Sequence, residues 1–137
     1  MADVDVVEVL RGTDLFAGLG NKELKSIARV ARVVQHAAGA EIAQEGGGAA
    51  GFHLIVEGTA SVDVHGRARP ELGPGSYFGE MALVDGKPRS ATVVATSPLT
   101  TVSLVSWDFH PILKREPGVA VALLEVMCAR LRAAETG

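Results

Sequence analysis

Between Val33 and Val105 the chain runs in short stretches whose side chains alternate, cut at near-regular intervals by glycine. Phe52, Leu54 and Val56 alternate with His53, Ile55 and Glu57; Val62 and Val64 alternate with Ser61, Asp63 and His65; Thr101-Val102-Ser103-Leu104-Val105 repeats the pattern. The punctuation is Gly39, Gly46-Gly47-Gly48, Gly58, Gly66, Gly73-Pro74-Gly75 and Asp85-Gly86. Period two places successive side chains on opposite faces of a strand, and turn signals at this spacing suit a barrel or sandwich. The expected fold class is therefore mainly β, closed as an antiparallel β-roll or jelly roll. Because the 16 glycines cluster at the turns, their number does not indicate disorder.

The flanks read differently. Val6, Val7 and Leu10 fall at helical spacing, and Asp14 to Leu19 breaks that pattern. Asn21 is expected to cap a second helix carrying Leu24, Ile27, Ala28 and Ala31. After Trp107 the chain returns to helix, with Pro117 at a helix start. The stripe Ala120, Leu124, Met127 and Leu131, with Leu123 beside it, is expected to pack into the core, a dimer seam being the sharper alternative. The boundaries are residues 1–32 for N-terminal helices, 33–106 for the roll and 107–134 for C-terminal helices, with Glu135-Thr136-Gly137 an unstructured end.

A chain of 137 residues makes one domain with one principal core. Its 13 basic and 16 acidic side chains give a net charge of -3, which argues against direct nucleic-acid binding through a large basic face. The longest apolar run, Val119 to Leu124, is far short of the ~20 residues that a membrane span needs. A lone Cys128 can form no internal disulfide; it reads as a small buried hydrophobe and suits a reducing cytoplasm.

The segment that departs from strand logic is Tyr77-Phe78-Gly79-Glu80-Met81-Ala82-Leu83-Val84-Asp85-Gly86-Lys87-Pro88-Arg89-Ser90-Ala91-Thr92-Val93. G-E-M-A-L suits one helical turn, D-G-K-P a turn, and Arg89 enters a β-branched strand. A short helix beginning near Gly79 presents unpaired N–H groups, small Ala82 and Ala91 admit a ligand to the main chain, and Arg89 supplies a bidentate fork for phosphate oxygens. Lysine lacks that fork. Glu80 adds an acceptor for sugar hydroxyls, so the ligand implied carries one phosphate charge and a nearby ribose.

With G-E-M-A-L-V-D-G-K-P-R-S-A-T-V ungapped, the chain resembles the cyclic nucleotide-binding domain family of catabolite-activator regulators, protein kinase A regulatory subunits and cyclic nucleotide-gated channels. The likeness extends to D-L-F-A-G-L near the start, A-G-A-E-I-A-Q-E-G at Ala38 to Gly46, F-H-L-I-V-E-G-T-A-S-V at Phe52 to Val62, and L-G-P-G-S-Y-F-G-E before the cassette. It implies an eight-stranded antiparallel β-roll of the double-stranded β-helix or jelly-roll type, with flanking helices and a phosphate-binding cassette at residues 78–93. The resemblance makes Glu80 the partner of the ribose 2′-hydroxyl and Arg89 that of the cyclic-phosphate oxygens. Gly79, Ala82 and Ala91 would turn backbone groups toward the sugar-phosphate, Ser90 would offer N–H and hydroxyl, and Phe78 and Met81 would line the apolar side. The expected ligand is cAMP, with cGMP possible since Ser90 does not settle the base. A late arginine is expected to cap the base, Arg132 chosen over Arg130.

The run Gly46 to Gly51 is expected to be a mobile loop rather than a site, and the sequence shows no helix-turn-helix and no kinase-inhibitory segment. The reading is a cytoplasmic, non-enzymatic sensor without cofactor, monomeric or weakly dimeric, acting on an unknown effector. Two rivals stand beside it. A cupin-like barrel enzyme needs converging metal ligands, whereas His36, His53, His65 and His110 are scattered along the sequence. A ligand-free protein-interaction domain of the same fold typically lacks the arginine or glutamate kept here.

Overall fold

A computed structural model describes residues 4–43, 51–87 and 91–136. Two short helices, α1 (Val6–Arg11) and α2 (Asn21–Val30), lead into strands β1 (Arg32–His36), β2 (Glu41–Ala43), β3 (Gly51–Glu57), β4 (Ala60–Val64), β5 (Arg67–Leu72) and β6 (Tyr77–Phe78). Helix α3 (Glu80–Asp85) interrupts the strands before β7 (Thr92–Ala95) and β8 (Leu99–Val105), and α4 (Ser106–Arg115) and α5 (Pro117–Thr136) follow. The eight strands form two four-stranded antiparallel sheets, ordered β1-β8-β3-β6 and β2-β7-β4-β5. This is the antiparallel β-roll with flanking helices that the glycine-punctuated pattern predicts, with the eight strands that the resemblance implies.

The central strands of the first sheet, β3 and β8, bury side chains on both faces, whereas the edge strand β1 is largely exposed. Phe52 and Leu54 on β3, with Val102 and Leu104 on β8, face the helices and meet Leu10, Phe16, Leu24, Ile27, Phe109 and Ile112. Alternation sends Ile55 and Leu99 the other way, into the space between the sheets, where Ala60, Val93 and Ala95 complete a smaller core. The two-residue strand β6 is split by the same rule: Tyr77 packs with the helical core and Phe78 with the inter-sheet core. The segment from Asp14 to Leu19 is a turn, yet Leu15, Phe16 and Leu19 are buried in the helical core.

Several expectations are corrected. Gly20 occupies the cap of α2, and Asn21, inside the helix, instead accepts a hydrogen bond from Arg11 at 2.5 Å. On α5 the buried stripe is Val119 and Leu123, flanked by Val126 and Met127, while Leu124 and Leu131 are 63% and 64% exposed. Cys128, on that outer face, is exposed rather than buried. Glu135 and Thr136 belong to α5 and are not an irregular end. The loop expected over Gly46 to Gly51 lies outside the described residues except for Gly51, which starts β3.

Candidate functional site

A cavity of about 620 Å³ opens between the second sheet and the segment around α3. The turn at Gly79 creates it. This glycine sits at the N-cap of α3 with φ +84°, and a Cβ there would run into the Gly51 carbonyl oxygen of β3. Only glycine combines the left-handed backbone with so close an approach. Ala82 and Leu83 anchor α3 in the interior, leaving Met81 largely exposed, and the His110 Nε2 of α4 donates to the Val84 carbonyl at 2.7 Å. The short helix is thus pinned from below and from the side.

Phe78, Gly79, Glu80, Met81, Ala82 and Ala91 all line this cavity, and Val62, Leu72 and Val93 supply its apolar wall from the facing sheet. Arg89 and Ser90 lie outside the described residues. Arg132 is on the exposed face of α5 and is not among the residues lining the cavity. Two further cations, Arg69 on β5 and Lys87 after α3, stand at the wall, neither of them assigned a role from the sequence. Arg69 was legible in principle, since it pairs across the strands with Val62 and so shares its face.

Arg130, rather than Arg132, comes to the cassette. Its guanidinium donates to Glu80 Oε2 at 2.9 Å and also to the Tyr77 hydroxyl, and its Cζ lies 5.4 Å from the Tyr77 ring centroid. Tyr77 in turn donates to Asp14 Oδ1 at 2.5 Å, and Arg130 stands 4.0 Å from the second Asp14 oxygen. Glu80 is the more enclosed partner, 20% exposed against 39% for Arg130. Burial alone would lower the Arg130 pKa, but the Glu80 hydrogen bond and the surrounding Tyr77, Glu80 and Asp14 raise it above the ordinary arginine value. Burial also pushes the Tyr77 hydroxyl upward, aided by its bond to Asp14 and against the pull of Arg130, so it stays a protonated donor.

The histidines, scattered along the sequence, are not all scattered in space. His36 Nε2 shares a hydrogen bond with Thr101 Oγ1 at 3.1 Å, Thr101 with Ser103 at 3.2 Å, and Ser103 with His53 Nδ1 at 2.8 Å. His53 stacks on Phe78 with ring centroids 5.0 Å apart. The chain of polar groups is satisfied internally, and among the described residues no group of three or more His, Cys, Asp or Glu converges as a metal site would need.

A β-roll with a helix-bearing cassette beside a cavity, and a C-terminal helix tied to that cassette, defines a regulatory ligand-binding module. The chain belongs to the cyclic nucleotide-binding domain family, whose sequence model matches residues 33–116. It is 39% identical over 113 residues to a cyclic nucleotide-gated potassium channel of Mesorhizobium japonicum, covering 82% of this chain and 31% of the channel. It is 33% identical over 107 residues to a cAMP-dependent protein kinase regulatory subunit of Eremothecium gossypii, covering 77% of this chain and 23% of the subunit. The chain therefore spans about a third or less of either relative. The crystal structure of the N-terminal domain of a transcriptional regulator from Streptomyces coelicolor A3(2) superposes with a TM-score of 0.82 at 29% identity, covering 97% of this chain and 94% of that domain. Among the described residues no helix is long and apolar enough to cross a membrane.

Proposed function

We propose that the chain is a sensor of a 3′,5′-cyclic purine nucleotide, cAMP being the first ligand to test, held in the cavity beside α3 and signalled through α5. The observation that carries this reading is the concentration of the cassette residues Phe78, Gly79, Glu80, Met81, Ala82 and Ala91 along one cavity wall. Glu80 accepts the ribose 2′-hydroxyl, Arg89 grips the cyclic phosphate by its fork, and Ser90 adds a donor beside it. Carboxylates accept at both oxygens, so Arg130 on Oε2 leaves Oε1 for the sugar. Arg130 rather than Arg132 is the α5 residue nearest this chemistry. The module performs no reaction on the nucleotide, needs no cofactor, and acts in the cytoplasm as a monomer or weak dimer upon an effector.

Isothermal titration of the purified chain with cAMP and cGMP tests the reading, with thermal shift alongside. A ligand at a hundred times its Kd stabilises a protein that binds only when folded by about 2.7 kcal/mol. Arg89→Lys is expected to lose most of the affinity and Glu80→Gln less, with 2′-deoxy-cAMP binding more weakly than cAMP. Absence of both heat and thermal shift at millimolar nucleotide rejects the proposal.

A further inference from the structure

Strand β5 is the edge of the second sheet, and its pairing with β4 slips by one residue: Ala60 stands opposite Leu72, whereas Val62 stands opposite Arg69. Two steps along β4 are thus matched by three along β5, which is a β-bulge. Pro70 falls inside the bulge, where an edge strand tolerates a missing N–H. The extra residue changes side-chain direction. Strict alternation would send Arg69 and Leu72 to opposite faces, but the bulge aligns both with Ala60 and Val62, whose face looks into the space between the sheets. An arginine therefore stands at the rim of the cavity whose wall is Val62 and Leu72. Among the described residues its guanidinium forms no hydrogen bond or ion pair, and neighbouring Glu71 is engaged instead with Thr96 Oγ1, from which it accepts at 3.1 Å.

We propose that Arg69 reads the base of the bound nucleotide, its fork donating to O6 and N7 of a 6-oxopurine, and so raises affinity for cGMP relative to cAMP. This rests on the cyclic-nucleotide reading of the cavity. In that reading the α3 wall takes sugar and phosphate through Glu80 and Arg89, which leaves the flat, largely apolar base to Val62 and Leu72, and Arg69 shares their face. Lys87 is the other cation at the cavity, but it follows α3 two residues before Arg89 and so belongs to the phosphate end of the cassette. Guanine presents two adjacent acceptors, O6 and N7, that match the paired N–H groups of a guanidinium. Adenine offers N7 beside an N6 amino donor, which sets donor against donor at the same fork. The contact is separate from any that Ser90 makes to the 2-amino group, which lies on a different edge of the base.

The test is titration of the full chain and of Arg69→Ala with cAMP, cGMP, cIMP and 7-deaza-cGMP. Arg69 is exposed on an edge strand, so its truncation is expected to leave the fold intact. The analogue cIMP keeps O6 and N7 but lacks the 2-amino group. In the variant, Kd for cGMP and for cIMP is expected to rise about five- to ten-fold, the low end for a bidentate base contact because the arginine is exposed. Kd for cAMP is expected to change less than about two-fold. The wild type is expected to bind 7-deaza-cGMP, which lacks N7, about three-fold more weakly than cGMP, and the variant to bind the two equally. Equal losses for cAMP and cGMP would put Arg69 on the phosphate and overturn the proposal. So would an unchanged Kd for cGMP, or a loss for cGMP that cIMP does not share. If the wild type binds none of these nucleotides, the cyclic-nucleotide reading itself fails and the role of Arg69 with it; wild-type binding whose cAMP-to-cGMP ratio is indifferent to Arg69 rejects this proposal alone.

Discussion

Arg130 and Glu80 meet at 2.9 Å although 50 residues separate them, and this contact joins the last helix to the cassette. Val119, Leu123, Val126 and Arg130 recur at helical spacing, so burying the first three against the core delivers the fourth to Glu80. Arg130→Ala is expected to weaken cyclic-nucleotide binding about ten-fold, in line with losing a hydrogen-bonded charge contact, and Arg132→Ala less than two-fold. Titration of the two variants side by side decides between them; a loss confined to Arg132 would return the capping role to that residue.

Gly79 tests whether the cavity depends on a backbone that only glycine adopts. With φ +84° and the Gly51 carbonyl oxygen in the way of any Cβ, Gly79→Ala is expected to destabilise the fold by about 2 kcal/mol or more and to abolish binding. Gly66 is the control. It has φ +76° but open space around it, so Gly66→Ala is expected to cost about 1 kcal/mol of strain and leave affinity intact. Urea denaturation and titration of both variants separate strain from collision.

The β-roll and the position of the cassette were legible because alternation and glycine turns are local signals. The phase of α5 was not. Its sequence offers two apolar stripes, Val119-Leu123-Val126 and Leu124-Cys128-Leu131, and the pattern alone does not say which one the core takes. The first is taken, which exposes Leu124, Leu131 and Cys128 and exchanges Arg132 for Arg130 at the cassette. The Asp14–Tyr77–Arg130 convergence and the pairing of His36 with His53 through Thr101 and Ser103 are likewise tertiary, since each joins residues tens of positions apart.

Phe16 couples the N-terminal turn to the rest of the molecule. It is fully buried, meets Phe52 edge-on with centroids 5.7 Å apart, and lies 6.4 Å from Phe109 of α4. Phe16→Ala removes both ring contacts and leaves a cavity between turn, sheet and helix, a loss expected to be about 3 to 5 kcal/mol. Phe16→Leu is expected to lose less. Denaturant midpoints measure this, and a change under 1 kcal/mol for the alanine variant would mean that the turn packs elsewhere.

The His36 side chain makes stability depend on pH in a direction that can be worked out. Burial lowers its pKa from the usual 6.5, so the folded chain favours the neutral ring that shares a hydrogen bond with buried Thr101. Below that value the unfolded chain binds a proton that the folded chain resists, and stability falls wherever the unfolded state holds more protons. The contribution of His36 is therefore fully present above pH 6.5 and is lost as the pH drops through the lowered folded value. Melting temperature is expected to be level from about pH 7 to 8 and to begin declining as the pH falls below about 6.5, above the range in which most carboxylates titrate. His36→Gln, which keeps a hydrogen-bonding head without titrating there, is expected to flatten that decline whatever it does to stability at pH 8. An unchanged slope in the variant would assign the acid sensitivity to other groups.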